Sequence, residues 1–153
     1  LRGAYEFSAA DIVSSHNDLN PTNILCLGAR AYFVDWETAF AADRYVDLAA
    51  LVNFLARSDR DEQLILTSYF GRNPTSEEMR RLNLMRQVSR IYYGIMLLRA
   101  AARGQPDLRL DYGALNPGAT DAGSTAEHPL FEVRLGCAFL ADALRRGASE
   151  TGQ

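Results

Sequence analysis

Hydrophobic positions change rhythm along this chain, from strand-like runs near the start to helical spacing later. The runs Ile24-Leu25-Cys26-Leu27 and Ala31-Tyr32-Phe33-Val34 flank Gly28-Ala29-Arg30, which predicts two short strands folded into a hairpin. Ahead of them residues 1–15 are weakly patterned, with Asp11-Ile12-Val13 as a short apolar approach to His16. Past Glu37 comes an irregular stretch. Residues 46–55 then carry apolar side chains at helical intervals, with Asp47 near the start. Residues 61–70 predict a second, shorter helix closed by Gly71.

Pro74-Thr75-Ser76-Glu77-Glu78 opens a third helix, its acidic residues suiting the positive end of the helix dipole. That helix is expected to run to about Arg103, with Met79, Leu82, Met85, Val88, Tyr92, Ile95 and Met96 on its inner face. Residues 104–128, rich in Gly, Pro, Asp and Thr, read as a long loop, and a last helix covers roughly 129–146. The expected fold is mainly α with a small β-hairpin. It forms one domain over 1–153, with a segment of candidate chemistry at 16–37 and a helical part at 46–147.

Composition narrows the class without naming it. At 153 residues and 17.0 kDa the chain has the size of one ordinary domain, and 48% apolar residues are ample for a core. A formal net charge of −3 shows no basic surplus of the kind that binds nucleic acid. No apolar stretch approaches the roughly 20 residues of a membrane span. Cys26 and Cys137 stand far apart without metal-ligand spacing and read as free thiols of a reducing compartment. The start, Leu1-Arg2-Gly3, shows no signal peptide and no initiator Met, so the expectation is a cytoplasmic protein, or a piece of one.

The chemistry concentrates in His16-Asn17-Asp18-Leu19-Asn20-Pro21-Thr22-Asn23 and, twelve residues after Asn23, in Asp35-Trp36-Glu37. Asp18 and Asn23 stand at the five-residue step of a kinase catalytic loop, and Asp35 falls where a second metal-binding acid belongs. Phosphoryl transfer asks the protein mainly to orient a hydroxyl and to neutralise phosphate charge. Asp18 is suited to accept the hydroxyl proton, while Asn23 and Asp35 offer the hard oxygens that magnesium prefers. The hairpin supplies the geometry, since it returns Asp35 to the neighbourhood of Asn23.

Blander readings compete at each position. Asp-Leu-Asn-Pro is good turn chemistry, and a lone Asp18 in such a stretch is more often structural. The joint occurrence with His16, Asn23, the hairpin and Asp35 favours the catalytic reading. His16 is either a base or, as the presence of Asp18 favours, a residue packed beneath the loop and bonded to backbone. Asp47 either caps its helix or reaches back to brace the loop. Glu37 is solvated, capping or substrate-facing. Trp36, Tyr92 and Tyr93 are candidates to line a pocket for a cationic substrate group, although aromatics at helical spacing are more often core. With only His16 and His128 as histidines, zinc is not expected.

At these residues the chain resembles the aminoglycoside phosphotransferase and choline kinase family. Members carry a His-x-Asp-x-x-x-x-Asn loop, often with Asn or Gly after the His, then Ile/Val-Asp-Trp/Phe-Glu, then Asp-Leu-Ala. This sequence has His16 to Asn23, Val34-Asp35-Trp36-Glu37 and Asp47-Leu48-Ala49 in that order. The resemblance implies the C-terminal lobe of a protein-kinase-like, overall α+β fold. It also implies ATP-dependent phosphorylation of an alcohol, with Asp18 as base, Asn23 and Asp35 as magnesium ligands, and Asp47 bracing the loop.

Trp36-Glu37 leans toward the choline, ethanolamine or thiamine branch over the antibiotic-modifying one. Ahead of His16 there is no Gly-rich nucleotide loop and no Lys-bearing strand, so the N-terminal nucleotide lobe is absent from this sequence. The chain alone is therefore expected to be a poor kinase. A missing lobe or a dimer partner is expected over the exposed hairpin. The rival reading is a kinase-fold remnant that binds a ligand or protein partner without catalysis.

Overall fold

The computed structural model describes residues 8–104 and 131–150, and the chain divides into two compact units, 1–86 and 87–153. Strands β1 (Ile12–Ser15), β2 (Ile24–Leu27), β3 (Arg30–Phe33) and β4 (Phe40–Asp43) precede α1 (Tyr45–Leu55), α2 (Asp59–Phe70), α3 (Ser76–Gly104) and α4 (Phe131–Glu150). The expected hairpin is β2–β3, in register from Ile24 opposite Phe33 to Leu27 opposite Arg30. Gly28 sits at φ 58°, the left-handed geometry that a two-residue hairpin turn demands of its first residue.

A second antiparallel pair replaces the weak and irregular stretches expected on either side. β1 pairs with β4, Ile12 opposite Asp43 and Ser15 opposite Phe40. Each strand is only four residues long, and Ser14-Ser15 and Ala41-Ala42 leave little hydrophobic alternation to read. Their pairing is non-local and comes from tertiary structure. Its effect on the site is direct. The segment holding His16 to Asn23 leaves β1, and the turn holding Asp35 to Thr38 enters β4, so one sheet clamps the outer ends of both.

Charge fixes that sheet to the helices. Arg81, 8% exposed, pairs with Asp11 and reaches Asp43 Oδ2 at 3.4 Å while lying 5.1 Å over the Tyr45 ring. Arg44 Nε stands 3.2 Å from Asp11. Burial first, and the Asp11 carboxylate second, push the Tyr45 phenol up to about 12, so the ring remains neutral in this setting.

The core of the first unit packs Tyr45, Leu48, Ala49 and Val52 of α1 against Leu66 of α2 and Leu82 of α3, with Ile65, Phe70, Met79 and Met85 around them. The helix boundaries have local causes. Asp43 Oδ1 accepts from the Tyr45 N–H at 3.0 Å and opens α1. Ser58 Oγ accepts from the Asp61 N–H at 3.2 Å, which starts α2 two residues ahead of the expected 61. Thr75 and Glu78 satisfy each other's N–H groups, at 3.2 and 2.7 Å, and form the capping box of α3. Beside this core, buried Arg86 forks onto Glu62 at 2.9 and 3.0 Å and exchanges hydrogen bonds with Asn53.

In the second unit the expected inner face of α3 is corrected. Val88, Tyr92, Ile95 and Met96 are exposed, while Arg90, Gly94 and Ala101 are buried. Arg90 is 6% exposed and bonded to Asp142 of α4 at 2.8 Å. A side chain at Gly94 would meet the Gly136 carbonyl at 3.1 Å, and one at Gly136 the Gly94 carbonyl at 3.0 Å, so the two helices approach backbone to backbone. The last helix, expected over 129–146, is seen from Phe131 to Glu150. Apart from Gly104, the end of α3, the loop expected over 104–128 lies outside the described residues. Among the described residues no helix is long and apolar enough to cross a membrane.

Candidate active site

Asn20 and Pro21 shape the loop. The Asn20 side chain accepts from the Thr22 N–H at 2.9 Å and Pro21 opens a single 3-10 turn ending at Asn23. This turn brings Asn23 back onto Asp18. Asn23 Nδ2 donates to Asp18 Oδ2 and to the Asp18 carbonyl, both at 3.0 Å, and Asn20 Nδ2 donates to Asp18 Oδ1 at 3.0 Å. Two amides thus fix the direction of the Asp18 carboxylate. Asn23, 7% exposed, is the more buried partner.

The second segment arrives by backbone bonding. The Val34 N–H donates to the Asn23 carbonyl at 3.0 Å, extending the hairpin by one bond and setting Asp35 beside the loop. Asp35 is exposed and adopts φ 64°, ψ 62°, a left-handed conformation that Asp tolerates better than most residues. A 3-10 turn of Trp36–Thr38 follows, with Glu37 exposed on it.

Underneath lies His16, 2% exposed. Its Nε2 is 2.8 Å from the Val34 carbonyl, and since a carbonyl only accepts, Nε2 carries the proton. The Trp36 ring tilts against the imidazole with centroids 4.7 Å apart, while Trp36 Nε1 donates to the Phe33 carbonyl at 2.8 Å. Asp47, from the first turn of α1, accepts from the His16 N–H at 2.7 Å and the Asn17 N–H at 2.8 Å. Asp43, not Asp47, caps the helix. Tyr92 belongs to the second unit, exposed and edge-on to Tyr93 at 5.4 Å.

Sequence reasoning missed Asn17 and Thr38. Asn17 stands at φ 65°, next to Asp18. An Asn flanked by catalytic candidates is itself a signal, since Asn is among the few residues at ease in that conformation.

The donor set suits a hard cation. Asn23 turns its amide nitrogen to Asp18, leaving its carbonyl oxygen with only a 3.4 Å contact from Thr22, and the Asp35 carboxylate is exposed. Among the described residues no group of three or more His, Cys, Asp and Glu is placed to hold a metal, so any ion here would need oxygens from phosphate or water as well.

A loop aligning a carboxylate with an amide, and a hairpin delivering a second carboxylate, are features of the phosphotransferase class. A family model of the phosphotransferase enzyme family (APH) matches residues 8–82, from just ahead of β1 to the second turn of α3. Over those residues the chain is similar to that family. The family implies a kinase-like fold, consistent with a mostly helical chain bearing small antiparallel sheets. No curated protein and no solved structure matches the chain significantly.

Proposed function

We propose that this chain is the catalytic, C-terminal lobe of an ATP- and magnesium-dependent phosphotransferase acting on the hydroxyl of a small molecule. The substrate classes are choline, ethanolamine or thiamine on one side and aminoglycoside-like sugars on the other. In this reading Asp18 accepts a hydrogen bond from the substrate hydroxyl and takes its proton as the new oxygen–phosphorus bond forms and ADP departs. Asn23 and Asp35 hold magnesium, which supplies charge neutralisation on the phosphates. His16 and Asp47 are positioning residues, the first buried under the hairpin and the second bonded to the loop's backbone. Trp36 and Glu37 are substrate-facing.

The observation that carries this reading is the Asn23 side chain. Its nitrogen is committed to the Asp18 carboxylate, so one residue aims the base and keeps its oxygen, with only a 3.4 Å contact from Thr22, for a metal ion. The exposed apolar residues of the hairpin and turn, Leu25, Leu27, Tyr32, Phe33, Trp36 and Phe40, also find a use. They offer a seat for a nucleotide-binding lobe, and a concentration-dependent dimer in sedimentation would point instead to a second copy of the chain.

The test is phosphate transfer from ATP to a panel of amino alcohols and aminoglycosides, followed by 31P NMR with the native protein from its source. Asp18→Asn and Asp35→Asn are each expected to lower the rate roughly 10²–10⁴-fold, the range for a positioned acid–base group or charge stabiliser. Transfer unaffected by Asp18→Asn would overturn the reading. A native protein that binds ATP or a partner without any transfer would favour the non-catalytic remnant.

A further inference from the structure

Asn17 does more than occupy a left-handed position. Its Nδ2 donates to three carbonyls, Ser15 at 3.2 Å, Thr38 at 3.0 Å and Phe40 at 3.3 Å. Turning the amide over would set its oxygen against three carbonyl oxygens, so these contacts fix its orientation. Thr38 answers in the opposite direction, with its hydroxyl donating to the His16 carbonyl at 2.9 Å. The result is a reciprocal pair of side-chain-to-backbone bonds between the segment that carries Asp18 and the turn that carries Asp35.

Two further hydrogen bonds join these segments at Val34, at the near end of the turn, one to the Asn23 carbonyl and one with His16 Nε2, and the Trp36 ring packs on His16. Asn17 and Thr38 add side-chain bonds at the far end, beside the pairing of β1 with β4. A turn held at both ends cannot pivot about Val34.

We infer that Asn17, with Thr38, is a positioning residue that locks the Asp35 turn against the Asp18 loop. The inference rests on the proposed phosphotransferase site for its use in catalysis, but the lock itself is a property of the fold. The backbone requirement and the lock are separable. Glycine satisfies φ 65° without strain and removes the amide. Aspartate keeps the size and the tolerance for that conformation, yet turns a carboxylate toward three carbonyl oxygens.

Trp36, the chain's one tryptophan, sits in the turn against His16 and reports its seating without any ligand. With 5-fluorotryptophan incorporated, the single 19F resonance is expected to shift and broaden in Asn17→Gly, more so in Asn17→Asp, and less in Thr38→Val. Far-UV circular dichroism checks that each variant is folded. If position 17 mattered only for its backbone, Asn17→Gly would leave the resonance where it is in the unaltered chain, and that outcome overturns the inference.

The catalytic consequence is read separately, in the native protein. Asn17→Gly is expected to lower kcat about tenfold or more with the alcohol KM within twofold, since the Asn17 amide and the Thr38 hydroxyl are committed to backbone carbonyls. An unchanged kcat would refute the catalytic role of the lock. A native protein with no transfer activity would sink the phosphotransferase reading while leaving the 19F result to judge the lock.

Discussion

Replacing Asp47 gives the sharpest test of how the loop is held. Its two carboxylate oxygens take the N–H groups of consecutive residues, His16 at 2.7 Å and Asn17 at 2.8 Å, which lie 31 and 30 residues earlier in the chain. Hydrogen bonds to an ionised acceptor contribute about 1.5–3 kcal/mol each, so the pair could supply about 3–6 kcal/mol. Asp47 is half-buried, and in Asp47→Ala water would reach part of what it leaves, which brings the expected loss to about 2–4 kcal/mol. Asp47→Asn keeps one acceptor and turns an NH2 toward the other N–H, so it is expected to lose about 1.5–3 kcal/mol. The chain has two compact units, so a global probe would mix their transitions. Trp36 fluorescence avoids this, because the sole tryptophan lies in the first unit. With a urea slope of about 2 kcal/mol/M, the Asp47→Ala midpoint should fall by about 1–2 M. Glu77→Gln, at an exposed ion pair with Arg80, is the control and should stay within about 0.5 kcal/mol. If both Asp47 variants matched that control, the brace would be decorative and the argument refuted.

Two further outcomes follow from contacts elsewhere. The Arg72 guanidinium first, with the Thr75 N–H and hydroxyl, draws the Glu78 carboxyl down from 4.5 to about 2. A lowered folded value means that its stabilisation is complete above about 4.5 and fades as pH falls toward 2. Glu78→Gln should therefore be less stable than the unaltered chain in urea melts at pH 7, with the gap narrowing steadily below pH 4.5, and a gap constant down to pH 2.5 would contradict the pairing. In the second unit, Gly136→Ala would place a methyl 3.0 Å from the Gly94 carbonyl and 3.0 Å from Leu98 Cγ, an overpacking worth about 1–3 kcal/mol. Burial pushes the neighbouring Cys137 thiol up, whereas Cys26 is exposed. Thiol labelling should accordingly be fast at Cys26 and slow at Cys137, and Gly136→Ala should speed only the latter.

What the sequence made legible was local. The hairpin announced itself through two apolar runs and a glycine, and the helices through periodicity and end signals such as Thr75 with Glu78 and Gly71 at φ 67°. The loop's conformation was legible because Asp18, Asn20, Pro21 and Asn23 are turn-forming residues. What failed depended on distant partners. β1 and β4 are four residues each, and Ser14-Ser15 and Ala41-Ala42 break any alternation, so neither carries a pattern without the other. Beyond Met85 the apolar stripe on α3 misled, because its buried positions are Arg86, Arg90, Gly94 and Ala101. Buried arginines are rare unless paired, and nothing within α3 tells of Glu62 or Asp142. Asn17 was passed over for a related reason, as its three acceptors come from Ser15, Thr38 and Phe40 and meet only in the folded chain.

The left-handed backbone at Asp35 has an evolutionary side. Most replacements there would meet a steric penalty of about 1–2 kcal/mol, whereas Asn and Gly enter that conformation at little cost. Both are one base change from an Asp codon, and both remove the carboxylate. The acid proposed to hold magnesium thus occupies a position where its chemistry can be erased while the surrounding architecture stays intact. A descendant that drifted this way would keep its stability, its hairpin and its loop, and would be free to be recruited for binding alone.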